Sequence, residues 1–135
     1  MSVSAVLALR RAVRARLAAD ADLMRRVSGV FDEAPASAAH PYVAFGDAQT
    51  RDWSADSSPG AEQFLVLHVW SRHRGLAEAL DIAHCIARLL DEAPLAVEGH
   101  HLVDLRFLSL ETRRNAAGAS SRAALRFRAT LEILE

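Results

Sequence analysis

The chain has 135 residues, the usual length of one globular domain. Apolar residues make up 51% and charged residues 24% of the chain, which is typical of a protein with a buried core and excludes a wholly disordered one. Its 16 basic and 17 acidic side chains leave a net charge of −1, so no strong overall field attracts it to nucleic acid or to an anionic membrane. A single cysteine, Cys85, excludes an internal disulfide and favours a reducing compartment. No apolar run is long enough to span a membrane, and we expect one soluble cytoplasmic domain over residues 1–135.

Apolar residues repeat at intervals of three and four in two parts of the chain, which predicts helices. Residues 3–27 indicate a long helix, a break, and a short helix that begins at the N-cap Asp20. Residues 75–92 indicate a second long helix, which Pro94 stops. The apolar face expected on the first helix consists of Val3, Val6, Leu7, Leu9, Val13 and Leu17.

Four longer segments have the pattern of strands, and Val30 and Phe31 could form a further short one. Residues 42–53 are expected to run extended, with a bulge or close approach at Gly46. Residues 62–71 are so apolar that they predict a central strand covered on both faces. Residues 102–114, with Val103, Leu105 and Phe107 on one face, should form a hairpin with residues 122–134 through a turn at 115–120.

The order of these segments is helix, strand, strand, helix, strand, strand. It predicts an α+β two-layer sandwich in which two helices cover one face of a mainly antiparallel sheet of about four strands.

The sequence contains no recognisable catalytic or metal-binding motif. Its six histidines are scattered, and it has no His-Glu-x-x-His, no cysteine pair, no glycine-rich phosphate loop and no nucleophile elbow. Cys85 falls on the apolar side of the second long helix, where a packed small side chain is expected. We therefore expect no catalytic residue, no metal and no cofactor.

Two groups of residues are candidates for contacts with other molecules. Arg122, Arg126 and Arg128 line the polar face of the last strand, and Arg113 and Arg114 lie at the end of the strand that faces it. This face is either simply solvated, or meets another chain through pairs of arginine and carboxylate, or lies along passing DNA.

The second group lies in the loop segment 47–60. Trp53 stands there among polar residues, beside Arg51, Asp52 and Asp56. An aromatic ring in such surroundings is typical of an interface anchor, and it could equally cover the core of its own domain. The acidic residues could also hold a cation, although solvated charges or partners for Arg51 are the simpler interpretation.

Several short motifs occur in an order that resembles a known family. Residues 41–46 read Pro-Tyr-Val-Ala-Phe-Gly, residues 53–54 read Trp-Ser, and residues 68–71 read His-Val-Trp-Ser. The following helix begins Gly-Leu-Ala-Glu-Ala-Leu-Asp-Ile-Ala at residues 75–83. The arrangement resembles the tail-completion, or tail terminator, proteins of phages with long non-contractile tails and of gene transfer agents, and the resemblance covers nearly the whole chain.

This resemblance implies a structural protein and not an enzyme. It implies a ring, usually of six subunits, on the head-proximal end of the tail tube, where it stops addition of the tube protein and offers a docking surface to the head connector. DNA would pass through the lumen without sequence-specific binding. The protein would assemble in the bacterial cytoplasm and then be part of the particle, with no membrane contact. The matched residues Tyr42, Val43, Phe45, Trp70 and Glu78 would serve the fold.

Two other interpretations remain open on the sequence alone. The chain could be another neck or connector protein of the same particle. It could also be a small dimeric enzyme or ligand-binding domain, which would need a deep pocket holding His68, His84 or Cys85.

Overall fold

The computed structural model describes residues 4–115 and 120–134. Three helices span Ala5–Ala18 (α1), Ala21–Arg26 (α2) and Ala77–Leu90 (α3). The strands are Val30–Phe31 (β1), Tyr42–Phe45 (β2), Gln49–Asp52 (β3), Gly60–Ser71 (β4), His100–Asn115 (β5) and Ser120–Ile133 (β6). The predicted hairpin of β5 and β6 is present, although most of its turn lies outside the described residues.

The six strands form one mixed sheet in the order β1-β2-β4-β6-β5, and β3 also pairs with β4. Only β1 and β2 run parallel, and the other pairs are antiparallel. The predicted α+β class is confirmed, but the sheet has more strands than the four expected. One reason is that residues 42–53 form two strands, which follow one another along the same edge of β4.

The core lies between the helices and one face of the sheet, because alternate residues of β4 and β6 point to that side. Ala79, Ile82, Ala83, Ile86 and Leu90 of α3 are buried there. From the sheet, the core receives Leu65, Leu67, Val69, Ala123, Leu125, Phe127, Ala129 and Leu131. The last strand is therefore half-buried, as its alternation predicts.

Three details of the predicted burial were wrong. Leu7 is exposed on α1, and Val3 lies outside the described residues. Val103 is also exposed. The register of β5 shifts between Leu102 and Asp104, so Val103 has no partner in β6 and does not share the buried face of Leu105. The outer face of β4 is only half-buried, because none of the helices in the described part of the chain lies over it.

A hydrogen bond between side chains joins the end of β4 to the start of α3. The hydroxyl of Ser71, which is fully buried, donates to Glu78 Oε1 over 2.7 Å and accepts from the backbone N–H of His73 over 3.0 Å. The Trp-Ser and Gly-x-x-Glu motifs of the sequence therefore meet in space at one junction.

Replacing Ser71 with alanine is expected to lower the free energy of unfolding by about 1–2 kcal/mol, because it leaves buried polar groups without their partner. Urea unfolding followed by circular dichroism measures the difference. Ser37→Ala, in an exposed loop, is the matched control and should change stability by less than about 0.5 kcal/mol. Equal losses in the two variants would contradict a role for this bond.

Candidate interaction surfaces

The sheet face opposite the helices carries aromatic rings covered by arginines. Arg122 lies over Trp70, with its Cζ 5.6 Å from the ring centroid, and Arg126 lies over Phe64 at 4.6 Å. These pairs place cations of β6 on rings of β4, and such contacts are favourable when partly desolvated. On this face, aromatic rings therefore lie next to the sheet, and the arginine side chains lie outside them.

Two of the candidate arginines are held by one shared carboxylate. Arg128 of β6 contacts Glu62 of β4 at 2.6 Å, and Arg51 of β3 approaches the same carboxylate at 3.7 Å. The Glu62 side chain is largely buried, so it links three neighbouring strands. Arg51 and Arg128 therefore support the sheet as well as lining its surface.

His68 of β4 also lies on this face. It pairs with Ala124 of β6, which is midway along that strand between Arg122 and Arg126. Burial lowers the pKa of its imidazole from the ordinary 6.5, and Arg122 lowers the pKa further, while Asp47 acts in the opposite direction. His68 is consequently neutral at neutral pH.

The lowered pKa of His68 predicts a loss of stability in acid. Below pH 6.5 the unfolded chain binds a proton at this residue that the folded chain does not bind, so stability falls as the pH falls until the lower folded pKa is passed. His68→Gln should lose less stability than the parent between pH 7 and pH 5.5 in thermal unfolding. His84→Gln, on the exposed side of α3, should keep the parental pH dependence, and an unchanged dependence in His68→Gln would contradict the account.

The described end of the β5–β6 hairpin is basic. Arg113 lies directly opposite Arg122, and Arg114 lies opposite Ser121 on the other face. Like charges directly across a strand pair are unfavourable. Among the described residues neither Arg113 nor Arg114 forms an ion pair.

The segment 47–60 contains β3 and the turn that leads from β3 into the start of β4. Trp53 donates its backbone N–H to Gly60 O over 3.0 Å, and Ser54 Oγ donates to Asp52 over 2.7 Å. A Cβ on Gly60 would lie 2.7 Å from Trp53 O, so only glycine allows this close approach. Trp53 is 40% exposed, and its ring lies against Gly60 on one side. Its role as an interface anchor stays a prediction. Asp56 is exposed in the same turn.

The structure separates the residues that an enzyme site would have needed. His68 lies on the outer sheet face, His84 is exposed on α3, and Cys85 is buried on the core side of α3. Asp20, Asp22 and Cys85 have ligand atoms within 4.8 Å of one another. Burial raises the pKa of the Cys85 thiol, and Asp20 and Asp22 raise it further, so the thiol stays protonated.

The two carboxylates beside Cys85 already have partners. Asp20 caps α2 by accepting from Leu23 N over 2.9 Å, and Asp22 pairs with Arg25 and Arg26. The capping bond and the ion pairs within α2 therefore explain why these two carboxylates lie where they do. Among residues 4–115 and 120–134, no helix has the length and apolarity needed to cross a membrane.

Comparison with known proteins identifies the family. The family model described as "Tail completion protein gp17" matches residues 11–132. The chain belongs to the gp17 tail-completion family. This family is structural, so the protein is a phage-type tail component and not an enzyme.

Individual relatives match this tail-completion protein over nearly its full length. Tail completion protein gp17 of Bacillus phage SPP1 is 27% identical over 124 residues, which cover 92% of each chain. A chain in the virion of a native gene transfer agent particle has a TM-score of 0.87 and 31% identity, with 97% of this chain and 99% of that chain covered. The solved structure of SPP1 gp17 has a TM-score of 0.64 and 24% identity over 95% and 89% of the two chains, and so shows the shared fold.

Proposed function

We propose that this tail-completion protein forms a ring on the head-proximal end of a tail tube, with the six subunits that the family resemblance implies. There it stops addition of the tube protein and offers a surface to the head connector. DNA passes through the lumen without sequence-specific binding. The protein assembles in the bacterial cytoplasm and then remains in the tail or neck of a phage or gene transfer agent particle.

The observation that carries this proposal is the near-complete match, at 31% identity, to a chain of an assembled gene transfer agent particle. The surface of the molecule is consistent with it. The uncovered sheet face holds Arg122 and Arg126 above aromatic rings, and Arg113 and Arg114 lie at the described end of the hairpin. These positions suit contacts with carboxylates of other tail proteins and with the phosphates of DNA.

The test combines light scattering after gel filtration with negative-stain images of the same fractions, with and without tail tubes of the same particle. The proposal predicts closed rings, either free in solution or seated at one end of each tube. A stable dimer that does not bind to tubes would favour a dimeric ligand-binding domain. A protein that binds isolated connectors but not tube ends would instead act elsewhere in the neck, and either result would overturn the proposal.

Trp53→Ala is expected to weaken assembly more than folding. Its exposed ring can fill a pocket on a neighbour, and aromatic anchors of this kind contribute about 2 kcal/mol or more to binding. The concentration needed for ring formation should therefore rise at least about tenfold. Leu7→Ala, which removes a similarly exposed apolar side chain from α1, is the control and should assemble normally. A large fall in the unfolding temperature of Trp53→Ala, with unchanged assembly, would contradict this role.

A further inference from the structure

A small pocket lies at the end of the sheet where β4 ends and β6 begins. It has a volume of about 160 Å³, and its walls are the segment 73–75 after β4, the end of β5 at Arg114, and the start of β6 at Ser121. Ser121 pairs with Arg114 on one side and with Ser71 on the other, so these three side chains share the helix side of the sheet. Asn115 also lines the pocket but already has an interaction of its own.

Ser121 brings a buried hydroxyl without a partner to this pocket. The residue is 3% exposed, and its Oγ has no hydrogen-bond partner among the described residues. Its neighbour Ser71 is buried as well, but the hydroxyl of Ser71 is engaged by Glu78 and by the backbone N–H of His73. Buried hydroxyls in folded proteins are nearly always hydrogen-bonded, so the one at Ser121 indicates a partner that the chain itself does not supply.

The walls of this pocket are cationic. Arg74 and Arg114 line it, and neither forms an ion pair among the described residues. Within the part of the chain that the structure describes, no carboxylate lines the pocket. A guanidinium group only donates hydrogen bonds, and a serine hydroxyl can donate one. The pocket therefore offers donors from three separate segments of the chain.

Acidic side chains near this end of the sheet belong to other surfaces. Glu78 accepts the hydrogen bond of Ser71, and together with Asp81 it lines the adjoining groove of α3. Glu111 lies opposite Ala124 on the outer face of the sheet, away from Ser121 and its neighbours. Arginines outnumber these three carboxylates at the same end of the sheet, where Arg72, Arg74, Arg113, Arg114 and Arg122 lie. The surroundings of the pocket are therefore positively charged.

We propose that this pocket binds a phosphate group through the hydroxyl of Ser121 and the guanidinium groups of Arg74 and Arg114. Charge-assisted hydrogen bonds from arginine are well suited to such a group. A tetrahedral phosphate has oxygens that can accept from all three walls, whereas the two oxygens of a carboxylate lie in one plane. The ligand is inorganic phosphate or a phosphate of the DNA backbone. The pocket lies within one subunit, so its failure would leave the proposed ring intact, and failure of the ring would leave the pocket.

Phosphorus NMR of inorganic phosphate mixed with the full chain tests this site. Ionic strength is held constant with chloride, so that screening does not change. The phosphate line should broaden with the parent chain. Ser121→Ala should weaken binding at least about fivefold and Arg114→Gln at least about tenfold, because each removes a donor to a charged group. In chloride, Ser121→Ala should not lower the unfolding temperature, since its hydroxyl has no partner to lose.

Arg113→Gln is the matched control for Arg114→Gln. Arg113 is the neighbouring residue with the same charge, but it lies opposite Arg122 on the outer face and does not line this pocket. Its replacement should change phosphate binding by less than about twofold, because exposed charges outside the site are screened.

A short DNA duplex then separates the two sources of phosphate. A duplex that displaces inorganic phosphate from the parent, and that binds more weakly to Ser121→Ala, assigns the site to the DNA backbone. A duplex that leaves phosphate in place assigns it to free phosphate. Three results would overturn the proposal: no broadening with the parent chain, an equal loss of binding in Arg113→Gln, or displacement of phosphate by an equal concentration of acetate, which would indicate a site for a protein carboxylate.

Discussion

Phe127→Ala is expected to lower the free energy of unfolding by about 3–5 kcal/mol, the largest effect of any substitution considered. Phe127 is 0% exposed in β6, between β4 and β5, and its ring meets that of Phe107 edge to face with centroids 5.7 Å apart. Its truncation leaves a cavity at the centre of the sheet, where the paired strands cannot easily collapse. Chemical denaturation measures the loss of stability.

Phe107→Ala is the matched control for this substitution. It removes the other ring of the pair, which is 37% exposed, and should cost about 0.5–1.5 kcal/mol, the usual contribution of an aromatic pair. Equal losses in the two variants would contradict the placement of the core between α3 and β6.

The second large effect is expected from reversing the charge of the basic hairpin end. Arg113→Glu combined with Arg114→Glu should raise the concentration needed for assembly at least about tenfold, because the proposed function has these side chains meet carboxylates of other subunits or tail proteins, and the substitutions set like charges against them. Folding should be little affected, since both side chains are exposed and form no ion pair among the described residues. Light scattering and thermal unfolding separate the two effects.

A control variant makes this test specific. Arg25→Glu with Arg88→Glu changes the net charge equally on the helix layer and should assemble like the parent. Equal loss of assembly in the helix-layer control would contradict a specific role for the basic end of the hairpin.

The elements with a strong period were predictable from the sequence. The alternation in β6 and the three-and-four spacing in α3 each reflect one buried face, and the structure buries those faces as expected. The register of β5 was not predictable. Its shifts beside Val103 and Leu108 depend on which residues of β6 lie opposite, and pairing across strands leaves no local signal.

The sequence was sufficient to predict which residues line the candidate surfaces, but not which side chains contact one another there. The alternation around Arg122 and Arg126 indicated a cationic face. It could not indicate that these side chains lie over Trp70 and Phe64, since that depends on the register between β4 and β6. The bond from Ser71 to Glu78 was missed for a similar reason, although both residues stood in the motifs that carried the family resemblance.

Growth of tail tubes in the presence of this protein tests the central proposal most directly. Tube protein of the same particle is polymerised with increasing amounts of the chain, and tube length and tube ends are measured by electron microscopy. The account predicts shorter tubes, each with a ring at one end, and further tube protein added only at the other end. Tubes of unchanged length with bare ends, at a concentration at which the protein is folded, would contradict it.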